Sequence, residues 1–166
     1  INPLALQPQA TFKTNTINFN DDVLSWSASN ETGSLPFRVQ QFKWNKWVTV
    51  GEVEGNGNAG LNGYEFKVNS ITGNNRFRVI QKSGDGRTKV SPEVVYNSSQ
   101  SVVTYEYDKK SENVIFSRET SFEVYDSYGR ILKKGFAKLI NVNDLDKGKN
   151  VVYYINYDNT FTEFQK

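Results

Sequence analysis

The feature that most restricts this chain is a two-residue hydrophobic period, interrupted every few residues by turn chemistry. It is densest over residues 122–157, FEVYDSYGRILKKGFAKLINVNDLDKGKNVVYYINY. Phe122 and Val124 alternate with Glu123, residues 126–129 (DSYG) supply a turn, and residues 130–136 leave it as a partner run. Aspartate and glycine in a short turn between two such runs predict a β-hairpin. A second turn, DLDKG at 144–148, leads into the β-branched and aromatic run at 151–157, the composition that a pleated, half-buried strand selects.

The same grammar runs through the first hundred residues. Residues 11–19 read as a first strand that sets Phe12, Thr14, Thr16 and Asn18 against Lys13, Asn15 and Ile17, ended by the turn residues Asn20, Asp21 and Asp22. Leu24, Trp26 and Ala28 share one side of the next run, so Trp26 is expected in a core. Phe37, Val39 and Gln41 alternate with Arg38 and Gln40, and Trp44, Asn45, Lys46 and Trp47 form a tight reversal into Val48, Val50 and Val53. The glycine- and asparagine-rich stretch at 54–60 reads as a loop in which positive φ angles cost little. Tyr64, Phe66 and Val68 mark a further strand, as do Phe77, Val79 and Gln81 set against Arg76, Arg78 and Lys82. An SGDG turn at 83–86 opens a seventh run, 87–96, in which Pro92 points to an exposed edge or a bulge.

Aromatic residues at 14% and charged residues at 23% give enough apolar surface for packed cores and too balanced a charge for a disordered tail. A length of 166 residues fits one domain, but turn-rich β chains divide readily into modules of about 100 residues or fewer. NSSQS at 97–101 has no apolar residue and separates two β patterns. The expected organisation is an all-β chain of two β-sandwich domains. An extended lead-in at 1–10, carrying Pro3 and Pro8, precedes a first sandwich at 11–96, a linker at 97–101 and a small second sandwich at 102–166. Without a disulfide or metal staple, the second module needs most of Val114, Phe116, Phe122, Val124, Ile131, Phe136, Ile140, Leu145, Val151, Tyr153 and Ile155 in its core.

The chain has no cysteine, histidine or methionine. Zinc, haem and iron–sulfur sites lose their usual ligands, and cysteine or serine–histidine chemistry loses its nucleophile or its base. The expectation is a protein that is not an enzyme and carries no cofactor. Ten basic and eight acidic residues precede residue 98 and ten of each follow, so neither half has the basic footprint of a nucleic-acid binder. No apolar run approaches the ~20 residues of a membrane-spanning helix, and no signal-peptide pattern is present. A chain opening on Ile1, Asn2 and Pro3 is expected to have lost a leader or to have been cut from a longer protein.

Several constellations invite a chemical reading. Asp144 and Asp146 with Asn141 and Asn143 suggest a calcium loop, but placing Gly148 at the sixth position puts Leu145 and Lys147 at ligand positions with no glutamate at the twelfth, so a turn is expected. Glycosidase-type acid pairs need separations that sequence alone does not fix. The glycine-rich 51–60 segment lacks the helix and the Lys-Ser/Thr pair of a phosphate loop. Asn30-Glu31-Thr32 and Asn97-Ser98-Ser99 match the glycosylation sequon as chance matches do. Phe42, Trp44 and Trp47, clustered at a hairpin tip, are the candidate contact residues for a sugar ring or a partner peptide, set against simple packing under the loop.

Residues 11–96 resemble the fibronectin type III group of immunoglobulin-like sandwiches. Trp26 in VLSWSAS matches the family's strand-B tryptophan, and Ile71 and Phe77 keep the spacing of its leucine and strand-F tyrosine, although phenylalanine cannot make the tyrosine-corner hydrogen bond. RFRVIQKSGDGRTKVSPEV is similar to a bacterial subset of that family. The tail resembles the C-terminal sorting domain of the Bacteroidetes type IX (Por) secretion system, on FEVYDSYGRILKKG, INVNDLDKG and VVYYINYDNTFTEFQK. That resemblance marks Tyr125, Asp126, Gly129, Leu145, Gly148 and Lys166 as motif residues, and departs in lacking the family's Pro-Asn-Pro start. It implies an exported presentation or adhesion protein at the cell surface or outside the cell, with the periplasm as the alternative location. Its implied partners are outer-membrane secretion machinery and cell-envelope components. Two other readings stand beside it: a carbohydrate- or peptide-binding module using Trp44 and Trp47, and the accessory end of a larger secreted enzyme.

Overall fold

The computed structural model describes residues 7–166, so residues 1–6 of the expected lead-in lie outside the described residues. The described chain is all-β, built from strands with no helix. Its contacts divide it into two compact units, Ile1–Ser70 with Asn75–Tyr96, and Ile71–Asn74 with Asn97–Lys166.

The first unit holds β1 (Lys13–Asn20), β2 (Val23–Ser29), β3 (Pro36–Lys43), β4 (Lys46–Glu54), β5 (Asn62–Lys67), β6 (Gly73–Lys82), β7 (Thr88–Val90) and β8 (Val94–Ser98), except that Gly73 and Asn74 of β6 and Asn97 and Ser98 of β8 fall in the second. One sheet has the order β1-β2-β5 and the other β4-β3-β6-β7, with β8 also paired to β6. This split of antiparallel strands into two facing sheets is the arrangement of a fibronectin type III-like sandwich. β8 carries strand structure to Ser98, so the stretch expected as a linker begins inside a strand.

The alternation read from the sequence decides which side faces in. Leu24, Trp26 and Ala28 from one sheet meet Phe37, Val39, Phe77 and Val79 from the other, all buried. In β1 the inward set differs from expectation. A register shift between Thr14 and Thr16 inserts one unpaired residue and reverses the parity of the strand. Phe12 therefore shares the core with Ile17 and Phe19 rather than with Thr14 and Thr16. Phe77, where the family has tyrosine, stacks on Phe19 at 4.3 Å and is fully buried. The run at 87–96 is broken at Pro92 into two short strands. There Ser91 donates its amide to Val79 O, and its hydroxyl accepts the Val79 amide at 2.9 Å.

The second unit holds β9 (Tyr105–Asp108), β10 (Asn113–Tyr125), β11 (Ile131–Asn141), β12 (Val152–Tyr157) and β13 (Thr160–Gln165), in the order β11-β10-β12-β13 with β9 also on β10. The apolar runs expected as separate strands near 113–117 and 121–125 merge here into β10, and those near 130–136 and 138–142 into β11. Between the pairs Ile115↔Leu139 and Thr120↔Ala137, β10 advances five residues while β11 retreats two, so β10 bends sharply. Its first half pairs with β9 and its second half with β12. The sheet thus folds over on itself, and Val114 and Phe116 from one half close a core with Phe122, Val124, Tyr153 and Ile155 from the other.

Two expected core residues are not in it. Ile131 and Phe136 are about half exposed, because register sets Phe136 beside Ser121, on the side away from Phe122 and Val124. Val103, Val142, Tyr157 and Phe164 fill the core instead. The segment Ile71–Asn74 is fastened within this unit. The Thr72 amide donates to Asp158 Oδ1 at 2.8 Å, Arg118 Nη2 donates to Thr72 Oγ1 at 2.7 Å, and Asn159 Nδ2 donates to Thr72 O at 3.0 Å.

Candidate functional site

The β3–β4 hairpin turns at Trp44 and Asn45, both in the left-handed region at φ 57° and 61°. This is the geometry of a two-residue hairpin loop, which favours asparagine and glycine; a tryptophan there is unusual. Beyond the turn, Phe42 and Trp47 are direct cross-strand partners with ring centroids 5.3 Å apart, edge to face. Because Gln40 pairs with Arg78 on β6, the same side continues into Arg78 and Arg76. The Arg78 guanidinium lies 4.0 Å over the Trp47 ring, and that of Arg76 lies 4.5 Å over Phe42.

Polar partners fix these cations. Arg78 Nε donates to Gln40 Oε1 at 2.8 Å, while Arg76 donates twice to the Glu93 carboxylate, at 2.9 Å each. Burial pushes the Arg78 pKa down, with Glu93 opposing that shift and Arg76 adding to it. The bonds from Arg76 hold the Glu93 carboxyl below its ordinary range. The three aromatics read as one cluster therefore separate into two groups. Phe42 and Trp47 come together under arginine, whereas half-buried Trp44 carries the Lys43 amine 4.6 Å over its ring. The guanidinium on Trp47 occupies ring surface on which a sugar would stack. Arg76 and Arg78 were readable as outward residues from their alternation with Phe77 and Val79. Their placement beside Trp47 depends on β3–β6 register, which no local pattern encodes.

The motif residues of the tail gather at two turns. Tyr125 ends β10 and stacks on Tyr154 at 5.7 Å. Asp126 Oδ1 accepts the amides of Tyr128 and Arg130, and its Oδ2 accepts Arg130 Nε at 2.7 Å. Gly129 closes this turn at φ 80°. Burial works to raise the Asp126 pKa, but the bonds from Arg130 and Tyr128 outweigh it and hold the carboxyl below its ordinary range. At the second turn Leu145 packs on the core, and Gly148 approaches Val151 so closely that an added Cβ would sit 2.8 Å from its side chain. Lys166, with its side chain 1% exposed, donates its amine to Leu145 O at 2.5 Å.

Both turns line one groove of about 390 Å³, to which Asp126 and Leu145 each contribute. Asp144, weighed as a calcium ligand, is held by Lys133 Nζ at 2.9 Å. Among the described residues no three acidic side chains converge as metal ligands.

One cluster escaped the sequence reading. Glu31 is 3% exposed, and its Oε2 accepts Tyr64 Oη at 2.6 Å and Asn62 Nδ2 at 2.8 Å, while the Gly57 amide reaches its Oε1. Burial first, then the bond to Glu31, push the Tyr64 hydroxyl up to about 12. A carboxylate satisfied by three donors anchors the 54–62 loop.

No protein-family model matches the chain, and no curated protein matches it either. Among solved structures, it is similar to one described as "Biofilm associated protein - BSP domain", at 18% identity and a TM-score of 0.33, over 93% of this chain and 27% of that one. It is also similar to the FN1–FN3 domains of chicken CNTN1, at 11% identity and a TM-score of 0.34, over 96% of this chain and 66% of that one. The chain thus spans about a quarter of the first and slightly less than two thirds of the second. Both likenesses are loose, and the fibronectin type III-like assignment of the first unit rests on its own strand order.

Proposed function

We propose that this chain is a non-catalytic module of an exported protein, working in adhesion or presentation at the cell envelope, with a tail that acts as a type IX-like sorting signal. The observation that supports this reading most is in the second unit. The residues of the sorting-type motif are the ones that close its two turns, with Asp126 capping one and Lys166 clasped beneath the other. A motif built into turns at one groove is presented as a folded surface that a translocon can read.

The test fuses a reporter to the N-terminus of the whole 166-residue chain, behind a signal peptide, in a type IX-competent host. Surface exposure of the reporter to added protease is the expected result, lost when Asp126→Ala and Gly129→Val are combined. A reporter that remains in the periplasm with the unaltered chain rejects the sorting role.

A second reading, binding of a carbohydrate or peptide ligand through Trp47 and Trp44, is favoured by the partly exposed aromatic and arginine side of β3, β4 and β6. The guanidinium groups there point to an acidic ligand in preference to a neutral sugar. Glycan-array binding that depends on Trp47 and Arg78 supports it, and binding unchanged by Trp44→Ala with Trp47→Ala removes it.

A further inference from the structure

The groove in the second unit carries chemistry that the motif reading does not use. It lies between the 126–130 turn and the loop that enters β12. Leu132, Leu145, Val151, Val152 and Tyr153 supply apolar lining, and three carboxylates, Asp126, Asp144 and Asp146, stand against a single basic lining residue, Arg130. Two of the acids are already neutralised, Asp126 by Arg130 at 2.7 Å and Asp144 by Lys133 at 2.9 Å. Asp146 differs: only its backbone oxygen is engaged, accepting the Tyr153 hydroxyl at 3.0 Å. The neighbouring Lys147 amine is turned to Glu112, 2.5 Å away.

The groove therefore pairs an apolar wall with one uncompensated carboxylate, on a chain whose overall charge is +2. Lysine and arginine match that combination, since their methylene stems cover apolar surface while the charged head stays at a polar edge. Tyr128, 84% exposed and also lining the groove, adds an aromatic edge to its mouth. We propose that this groove seats a lysine or arginine side chain presented by an extended segment of a partner protein, with Asp146 receiving the cationic head. The inference does not depend on the tail being a sorting signal.

The test uses the full chain, uniformly ¹⁵N-labelled, titrated at low ionic strength with blocked pentapeptides of serine and threonine. Their central residue is lysine, arginine, norleucine or glutamate. Lysine and arginine peptides are expected to shift the amides of residues 126–132 and 144–153, and norleucine and glutamate peptides to leave them unmoved. Asp146→Asn is expected to weaken binding about fivefold or more, as is raising the salt from about 20 to about 200 mM, which screens exposed charges, while Glu163→Gln on β13 leaves it unchanged. Three results overturn the proposal: no shift with any peptide, equal binding of norleucine, or an affinity for the lysine peptide that Asp146→Asn leaves unchanged. Asp146 is exposed, so the amide spectrum of Asp146→Asn is expected to match that of the unaltered chain away from residue 146, which checks that the fold is retained.

Discussion

Glu31 shows how much one side chain decides here. It sits in a stretch whose sequence offered only a chance sequon match, yet it organises the loop that follows β4. Truncating it leaves the Tyr64 hydroxyl and the Asn62 amide without their buried acceptor. Glu31→Ala is therefore expected to cost about 2–4 kcal/mol in urea unfolding, from two buried bonds to a charged group. Tyr64 gives a matching pH dependence. Its folded pKa, about 12, lies above the ordinary value of 10.0, so the stability it contributes is complete below pH 10 and is lost as pH rises towards 12. A Tyr64→Phe protein is expected to lose less stability across that window than the unaltered chain, and its absorbance titration to lack one late-ionising tyrosine. Nothing in the local sequence signals this pair, because it joins residues 33 apart in the chain.

At the scale of elements, turn chemistry was legible and strand continuity was not. The Asp126 to Gly129 turn forms where its residues predicted, since aspartate caps free amides and glycine accepts a positive φ without penalty. Gly129→Ala places a Cβ at φ 80° in open space, so the change is one of backbone strain alone. It is expected to cost about 1 kcal/mol, read from the denaturation midpoint, with no change in the slope. The merging into β10 of the two strands expected near 113–117 and 121–125 was not readable, because the polar run at 117–120, SRET, interrupts the apolar alternation between them although it holds no glycine or proline. It bends by insertion against β11 rather than by reversal. The same pairing explains why Phe136 and Ile131, although apolar, lie exposed on β11, the strand at one end of the sheet order: they sit beside Ser121 and Tyr125, and not beside Phe122 and Val124.

At the scale of the whole molecule, two hydrophobic clusters with no shared residue account for the buried apolar side chains among the described residues, apart from Ile71 and Ile80. Phe116 is 1% exposed in one cluster and Trp26 2% exposed in the other. Phe116→Ala and Trp26→Ala are each expected to cost about 3–5 kcal/mol. Amide exchange should locate the loss, in β9 to β13 for the first variant and in β1 to β6 for the second. Equal loss of protection in both regions from either change would contradict two separate cores.

The sequence by itself determined that this chain pairs strands, where most of its turns fall, and that residues such as Leu24, Trp26 and Val124 face inward. Those properties follow from side chains alternating along one strand and from the few residues that tolerate tight reversals. The tertiary structure alone decided that Arg78 lies over Trp47, that Glu31 is buried, and that the Asp126 and Leu145 turns share a groove. Each of these joins segments distant in sequence, and for the Arg78–Trp47 pair a slip of one residue in strand register would send the side chains to the opposite side.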